Sequence, residues 1–431
     1  MVNFVSDNNT IHFMQQNLHK SKEVTLEIKE WFDKLRGKSA IAMVQEPNNS
    51  KGKISNLGNN LKVFGCDKGT NIRAAVITRG GFDCWKLNQF CNSDQAVIAF
   101  KTKNKITVIA SIYMPYDSVD PPPAQITTQL ISFCEDQKWE LIIGADANSH
   151  HIAWGSTDNN SRGENLLDFI MTTNMQICNV GNTPTFTNAI REEVLDITLT
   201  STDTLDKVTA WEVETGKTLS DHNKITFIYS TELVQKEDTF RNVKKTDWCK
   251  YRNRLNENLN KMKQIFQDED LNNKAVMIET AIKEAFETSC PLRKKKESKK
   301  PVWWNNELSN LKKETLRMKN RYKREPTEER KQNWKDAFSE YRRACRKAKS
   351  ENWTIFCSDL KENSAISKLQ KLMKSEKRIE LGTIRKTDGA YTKTPKETLE
   401  ELLKQLYPDE TPGNKDAGNP TTWLNNENIN I

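Results

Sequence analysis

The sequence predicts a layered domain of α+β or α/β type, built on two packed sheets and followed by a basic helical segment. Three observations predict it. Eight short β-rich apolar runs occupy the first 235 residues. Turn residues and two amphipathic helical stretches separate them, which is the pattern of a layered domain. The charge then changes sign: residues 1–235 carry 22 Lys+Arg against 27 Asp+Glu, net −5, and residues 236–431 the remaining 44 against 31, net +13. About 230 residues suffice for two sheets around a sizeable core.

In chain order the expected strands are 11–15, 41–45, 74–78, 96–101, 106–114, 140–144, 194–200 and 225–229. A helix over 21–35 places Val24, Ile28, Trp31, Phe32 and Leu35 at 3/4 spacing, and one over 162–171 places Leu166, Leu167 and Ile170 likewise. A boundary is expected near 235. Residues 236–300 read as a helical linker ending in the basic cluster Arg293-Lys294-Lys295-Lys296, and 301–376 as a basic helical hairpin. There Leu308, Leu311, Thr315, Met318 and Tyr322 line one stripe, Pro326 interrupts, and Trp334, Phe338, Tyr341, Cys345 and Ala348 line another. The polar faces carry Lys312, Lys319, Arg342, Arg343 and further basic residues. They read either as solvated surface or as a nucleic-acid contact, since the excess is one-signed and interleaved with aromatics. Residues 377–431 read as a further linker whose Asn/Gly/Pro-rich tail is expected to be disordered.

The composition excludes several classes. The longest apolar runs, such as Leu141-Ile142-Ile143, fall far short of the roughly 20 residues that span a bilayer. No secretory signal is visible after Met1, so a reducing compartment is expected. Nine cysteines are scattered without a Cys-x-x-Cys pair, which suits free thiols and argues against structural zinc.

The informative polar residues stand just beyond the strands. Asn17, Glu46, Tyr113, Asp146 and Asn148 follow apolar runs, Asp196 lies inside one, and Asp221-His222 precedes the last. Strands with a common end would bring them to one rim, where such domains carry their chemistry. Each type has a job in metal-assisted phosphodiester hydrolysis. Glu46, Asn17 and Asp221 offer hard oxygen or orienting groups for Mg²⁺. Asp146 and Asn148 suit the handling of a water. His222 and the Tyr113 hydroxyl can meet negative charge growing on phosphate oxygens, and Asp196 can orient His222. Singly, each also has a plain structural reading as a turn former, cap or core residue. His150-His151 reads as structural, because no third soft ligand lies at motif spacing.

Gln16-Asn17-Leu18, Gln45-Glu46-Pro47, Tyr113-Met114-Pro115, Gly144-Ala145-Asp146-Ala147-Asn148, Leu195-Asp196-Ile197 and Ser220-Asp221-His222 resemble the ordered motifs of the endonuclease/exonuclease/phosphatase superfamily. More narrowly, Asn148-Ser149-His150-His151, Trp154-Gly155-Ser156, Arg162-Gly163-Glu164 and Pro184-Thr185-Phe186 resemble the apurinic-type endonuclease domain of jockey-like non-LTR retrotransposons. Pro301-Val302-Trp303-Trp304-Asn305 and Asp388-Gly389 resemble the linker preceding the reverse transcriptase in such elements, without the polymerase itself. The resemblance implies an α+β fold, a four-layer α/β-sandwich of two packed β-sheets flanked by helices, followed by a basic α-helical segment. It implies a Mg²⁺-dependent DNA endonuclease, with Mn²⁺ as a substitute, that leaves a 3′-hydroxyl for target-primed reverse transcription.

It assigns Asn17, Glu46 and Asp221 to the metal region, Asp146 and Asn148 to the water, Tyr113 and His222 to the phosphate, and Asp196 to His222. Arg162, Arg293, Lys294, Lys295, Lys296, Arg342 and Arg343 become candidates for nucleic-acid binding; Arg162 also reads as a helix-start ion-pair former. DNA in the nucleus is the expected partner, with element RNA on the basic segment and no membrane. His19 departs from the pattern, standing where repair-type relatives carry an acid. Two other readings remain: a catalytically silent nucleic-acid-binding protein from a decayed element, and a phosphoesterase of the same fold acting on another phosphodiester.

Overall fold

The fold is that of a computed structural model, described for residues 10–50, 53–54, 57, 60–66, 71–80, 82–103, 105–231, 239–262, 270–294, 303–358 and 382–406. The chain divides into two compact units, Met1–Cys84 with Phe90–Lys377, and Trp85–Gln89 with Arg378–Ile431.

In the first unit one sheet runs Val208–Glu214, Lys224–Ser230, Thr10–Asn17, Ser39–Gln45, Ala74–Arg79, Lys62–Phe64. Within the same unit the second sheet runs Met175–Ile177, Asp196–Ser201, Glu140–Asp146, Ile106–Tyr113, Gln95–Lys101. Thr10–Asn17 and Ser39–Gln45 are parallel, and so are Ile106–Tyr113 and Glu140–Asp146. Parallel neighbours need a crossover, and the helices Lys22–Lys34 and Gln125–Gln137 supply the two connections.

Strand alternation explains the core. Phe13, Ile41, Met43 and Val76 of the first sheet pack with Ile98, Phe100, Ile109 and Ile142 of the second, all 0% exposed. The intervening Met14, Ala40, Ala42 and Val44 face the other way, onto Val24, Ile28, Trp31 and Phe32 of the first helix. That helix begins where Ser21 Oγ accepts a hydrogen bond from Val24 N at 3.3 Å. Gly144 is required between the sheets, since a Cβ there would stand 2.7 Å from Met43 Cε and 2.9 Å from Gln15 Oε1. Two buried glutamines tie the sheets at that level: Gln15 Nε2 donates to Ala145 O and Ile197 O, each at 3.1 Å, and Gln45 Nε2 to Gly144 O at 3.0 Å. The layered α+β fold is therefore as expected.

The expected helical hairpin is present as Asn306–Arg324 and Glu328–Ser358. It is not a free basic arm. Leu308, Tyr341 and Cys345, at 1%, 0% and 4% exposure, join the core beside Trp31 and Phe32. Two cations expected on its open face are instead paired with the first helix: Lys312 Nζ stands 2.7 Å from Glu30 and 3.7 Å from Glu27, and Arg342 Nε 3.5 Å from Glu23. The physical reason is complementarity, because the outer face of Lys22–Lys34 presents acids and aromatics to a basic, aromatic hairpin. The boundary expected near 235 lies outside the described residues, as do the expected disordered tail, Lys295 and Lys296.

Between these parts, helices Trp248–Met262 and Leu271–Ser289 pair through Arg254–Glu284 at 2.7 Å and are flanked by the ribbon Thr239–Arg241 with Leu292–Lys294. In the second unit Trp85 Nε1 donates to Lys393 O at 3.0 Å, Asn88 Nδ2 to Thr383 O at 2.9 Å, and a helix spans Pro395–Leu406. The nine cysteines form no disulfide among the described residues. Among the described residues no helix is long and apolar enough to cross a membrane.

Candidate active site

The strand register sets the site. Asp146 lies opposite Asp196 on one side and Tyr113 on the other, so three adjacent strands deliver polar side chains at one level. Asn17 closes its strand opposite Gln45, and Glu46 follows at once. Glu46 and Asn148 hold φ of 43° and 45°. These left-handed values are uncommon for residues with a side chain and recur at functional sites.

The groups meet across both sheets. Asn17 Nδ2 donates to Asp146 Oδ2 at 2.7 Å and approaches Glu46 Oε2 at 3.4 Å. His222 Nδ1 lies 2.8 Å from Asp196 Oδ2, while its Nε2 lies 4.0 Å from Asp146 Oδ2. A carboxylate on Nδ1 places a ring proton there and leaves Nε2 facing Asp146. Asn148 N donates to Asp146 Oδ1 at 3.3 Å and its Nδ2 to Met114 O at 3.1 Å. Asp196 N donates to Thr185 Oγ1 at 2.9 Å, and Phe186 packs edge-on to His222 at 5.0 Å. The Arg73 guanidinium lies 5.3 Å over the Tyr113 ring and is held by Asp94.

The electrostatics follow from burial. Asp146 and Asp196 are 1% exposed and His222 5%. Burial pushes the Asp146 carboxyl well above the usual range and Asp196 adds to it, while His222, Asn17 and Asn148 oppose. Burial would lower the His222 imidazole, but the Asp196 and Asp146 carboxylates outweigh it and hold the value up at about 9. Burial, then Glu46 and Asp146, raise the Tyr113 phenol, so it stays a donor.

For a divalent cation the donors are hard oxygens. Glu46 Oε1 already neutralises an ammonium, Lys20 Nζ at 3.1 Å, and Lys20 is 65% exposed, a cation free to withdraw. Asp146, Asp196 and His222 have ligand atoms within 4.8 Å of one another, but Asp196 and His222 are engaged with each other. Glu46 with Asn17 therefore fits a Mg²⁺-type ion better than the His-containing cluster does. The expected metal residue Asp221 has a partner that sequence reasoning missed. Lys319 of the hairpin, 1% exposed, places Nζ 3.3 Å from Asp221 Oδ1 and donates to Ser220 O. Ser220 Oγ in turn donates to Asn17 O at 2.7 Å and accepts from His222 N at 3.1 Å. Glu27 anchors the same loop, accepting from Thr218 Oγ1 at 2.6 Å and Leu219 N at 3.2 Å. Lys319 carried no local signal, since it reads as one more basic residue on a polar helix face.

Arg162 Nε donates to Asn148 O at 3.2 Å and lines a cavity of 410 Å³ with Tyr113, Arg73 and Pro121. Arg342 lines another with His19, Lys20 and Asp221. Arg293 and Arg343 are exposed, and no hydrogen bond or ion pair among the described residues joins them to the site; of Lys294 only the strand is described. His150 and His151 organise their loop: His150 Nδ1 meets Asp158 Oδ1 at 2.8 Å, and His151 Nδ1 accepts from Ala153 N at 2.9 Å.

Residues 107–226 match a family described as endonuclease-reverse transcriptase. The match takes in Tyr113, Asp146, Asn148, Asp196, Asp221 and His222 of the candidate site. Among solved structures, the chain is similar to the endonuclease domain of TRAS1, a telomere-specific non-LTR retrotransposon, at 24% identity over 52% of this chain and 100% of that one, with a TM-score of 0.44. It is also similar to the Xenopus laevis APE2 catalytic domain, at 11% identity over 52% of this chain and 93% of that one, TM-score 0.39. A 3′–5′ exonuclease from Neisseria meningitidis matches at 12% identity over 51% of this chain and 99% of that one, TM-score 0.38. No curated protein matches the chain.

Proposed function

We propose that this protein is a Mg²⁺-dependent DNA endonuclease that nicks one strand, leaving a 5′-phosphate and a 3′-hydroxyl, and that the hydroxyl primes reverse transcription of a non-LTR element. The observation that carries the reading is the Asp196–His222 pair at 2.8 Å facing Asp146 and Asn17 at one rim beside Glu46. Glu46 and Asn17 would hold the ion, which supplies Lewis-acid stabilisation of phosphate charge when bound; Mn²⁺ has the same ligand preference. Asp221, paired with Lys319, borders it.

Asp146 takes a proton from the attacking water, with Asn148 orienting that water. A bond forms from the water oxygen to phosphorus, the bond from phosphorus to the 3′ oxygen breaks, and that oxygen takes a proton from solvent as it leaves, while Asp146 returns its own proton to solvent. His222 is protonated at neutral pH and, with the Tyr113 hydroxyl, donates to the phosphate oxygens as charge accumulates. Asp196 keeps His222 in place and charged. Arg162, Arg342, Arg343 and the Arg293–Lys296 cluster are proposed phosphate contacts, with element RNA as a further ligand and the nucleus as the place of action.

Supercoiled plasmid tests this with the full chain. Wild type with Mg²⁺ is expected to produce nicked circle, chelator to abolish it, and Asp146→Ala to slow it by about 100-fold or more. Absence of metal-dependent nicking by folded wild type, or undiminished nicking by the variant, overturns the reading.

A further inference from the structure

Beside the site, on the Asp221 side, lies a cavity of 210 Å³ that the reaction does not use. Asn188 and Asp221 line it from the sandwich, and Lys319, Tyr322, Lys323 and Trp334 from the helical hairpin. Tyr322 and Trp334 are stacked at 5.7 Å and 17°, and make a flat apolar wall. The charges do not balance. Lys319 is committed to Asp221 and the Ser220 carbonyl. The Lys323 ammonium has no ion pair or hydrogen bond among the described residues. Burial and then the like charge of Lys319 lower it to about 8, against weaker opposing pulls from Asp221 and Glu192, so it remains charged at neutral pH. A partly desolvated ammonium without a partner is unfavourable, and an anion on it recovers that cost. The hairpin is docked on the sandwich through Leu308, Tyr341 and Cys345, so this charge is held in the same cavity as Asp221.

We propose that Lys323 binds a backbone phosphate of the DNA flanking the scissile position, which makes the helical hairpin one wall of the nuclease groove. This rests on the endonuclease reading and deepens it. The shared chemistry is a phosphate anion, from a DNA strand or from inorganic phosphate, and the experiment separates the two.

Full-length protein, wild type and Lys323→Ala, is titrated onto a fluorescently labelled duplex without metal across a salt series, and plasmid nicking is measured in parallel with Mg²⁺. The alanine variant is expected to weaken duplex binding by about 3- to 10-fold and to reduce the salt slope by about one ion, while the nicking rate at saturating DNA is unchanged. Lys323→Arg is expected to retain binding, and serves as the readout if the alanine variant proves unstable. Unchanged affinity and slope in Lys323→Ala, with wild type nicking normally, overturn the inference alone. Altered competition by inorganic phosphate without any change in duplex affinity makes the cavity a small-anion site and also overturns it. Wild type that binds duplex through Lys323 but never nicks supports the wall and overturns the endonuclease reading instead.

Discussion

Replacing Lys319 by methionine tests whether the hairpin is part of the catalytic unit. Methionine is unbranched, one atom shorter than lysine, and removes the charge. Three contacts go: the ion pair with Asp221, the hydrogen bond to Ser220 O, and the ammonium 5.9 Å over the Trp334 ring. Breaking a fully buried pair costs about 3–5 kcal/mol, but the Asp221 side chain is 29% exposed and regains water, and methionine avoids desolvating an ammonium. The remaining loss is close to that of one charge-assisted hydrogen bond, about 1.5–3 kcal/mol. The midpoint of thermal unfolding, followed by circular dichroism, should fall by a few degrees. Function should fall too, because Ser220 links Lys319 to both Asn17 O and His222 N. A loss of about 1.4 kcal/mol in positioning is tenfold in rate. Nicking at saturating DNA should therefore slow by about 10-fold. A variant with wild-type midpoint and wild-type nicking rate would refute the idea that the hairpin sets this loop.

Other outcomes follow from the same geometry. Nicking should be bell-shaped in pH: it rises as the elevated Asp146 carboxyl loses its proton, and falls as His222 loses its own near pH 9. Asp196→Asn removes the leading charge that lifts His222, so the alkaline limb should move to lower pH; a profile from pH 5 to 10 with that limb unmoved would break the assignment. A chain ending at residue 235 should be poorly soluble and should melt well below the full chain, since it uncovers the Trp31 and Phe32 face that Leu308, Tyr341 and Cys345 bury, at about 1.5–3 kcal/mol per large side chain. Normal soluble yield with an unchanged melting midpoint would show the hairpin to be dispensable. Gly144→Val should destabilise by about 1–3 kcal/mol by displacing the buried ends of Met43 and Gln15, measurable in a urea titration, and a wild-type midpoint there would contradict the close approach of the sheets.

The parts of this protein that were readable from sequence are those encoded locally. The strand 10–17 shows its period of two in Phe13 and Gln15 toward the opposite sheet and Met14 toward the helix. Lys22–Lys34 announces itself with a serine cap and a 3/4 apolar stripe. The helix Gln125–Gln137 escaped notice because its buried positions are Thr127, Leu130, Ile131 and Cys134, only two of them strongly apolar. The edge strand Val208–Glu214 escaped because it buries no residue fully. Lys62–Phe64 and Met175–Ile177 are too short to show a period.

The sequence by itself determined which polar residues end the strands, and thus that Asn17, Glu46, Tyr113 and Asp146 would share a rim if the strands shared a direction. Tertiary structure alone decided the direction and the partners: Asp196 across from Asp146, Asn17 on Asp146 from the facing sheet, and Lys319 on Asp221 from a helix whose basic face read as solvated surface or nucleic-acid contact. The reason is physical. Periodicity records which way a side chain points relative to its own element, whereas the partner of a buried charge is set by which surfaces dock. That choice depends on the summed shape and charge of two whole faces, here the acidic, aromatic flank of Lys22–Lys34 against the basic hairpin, and no window along the chain contains both.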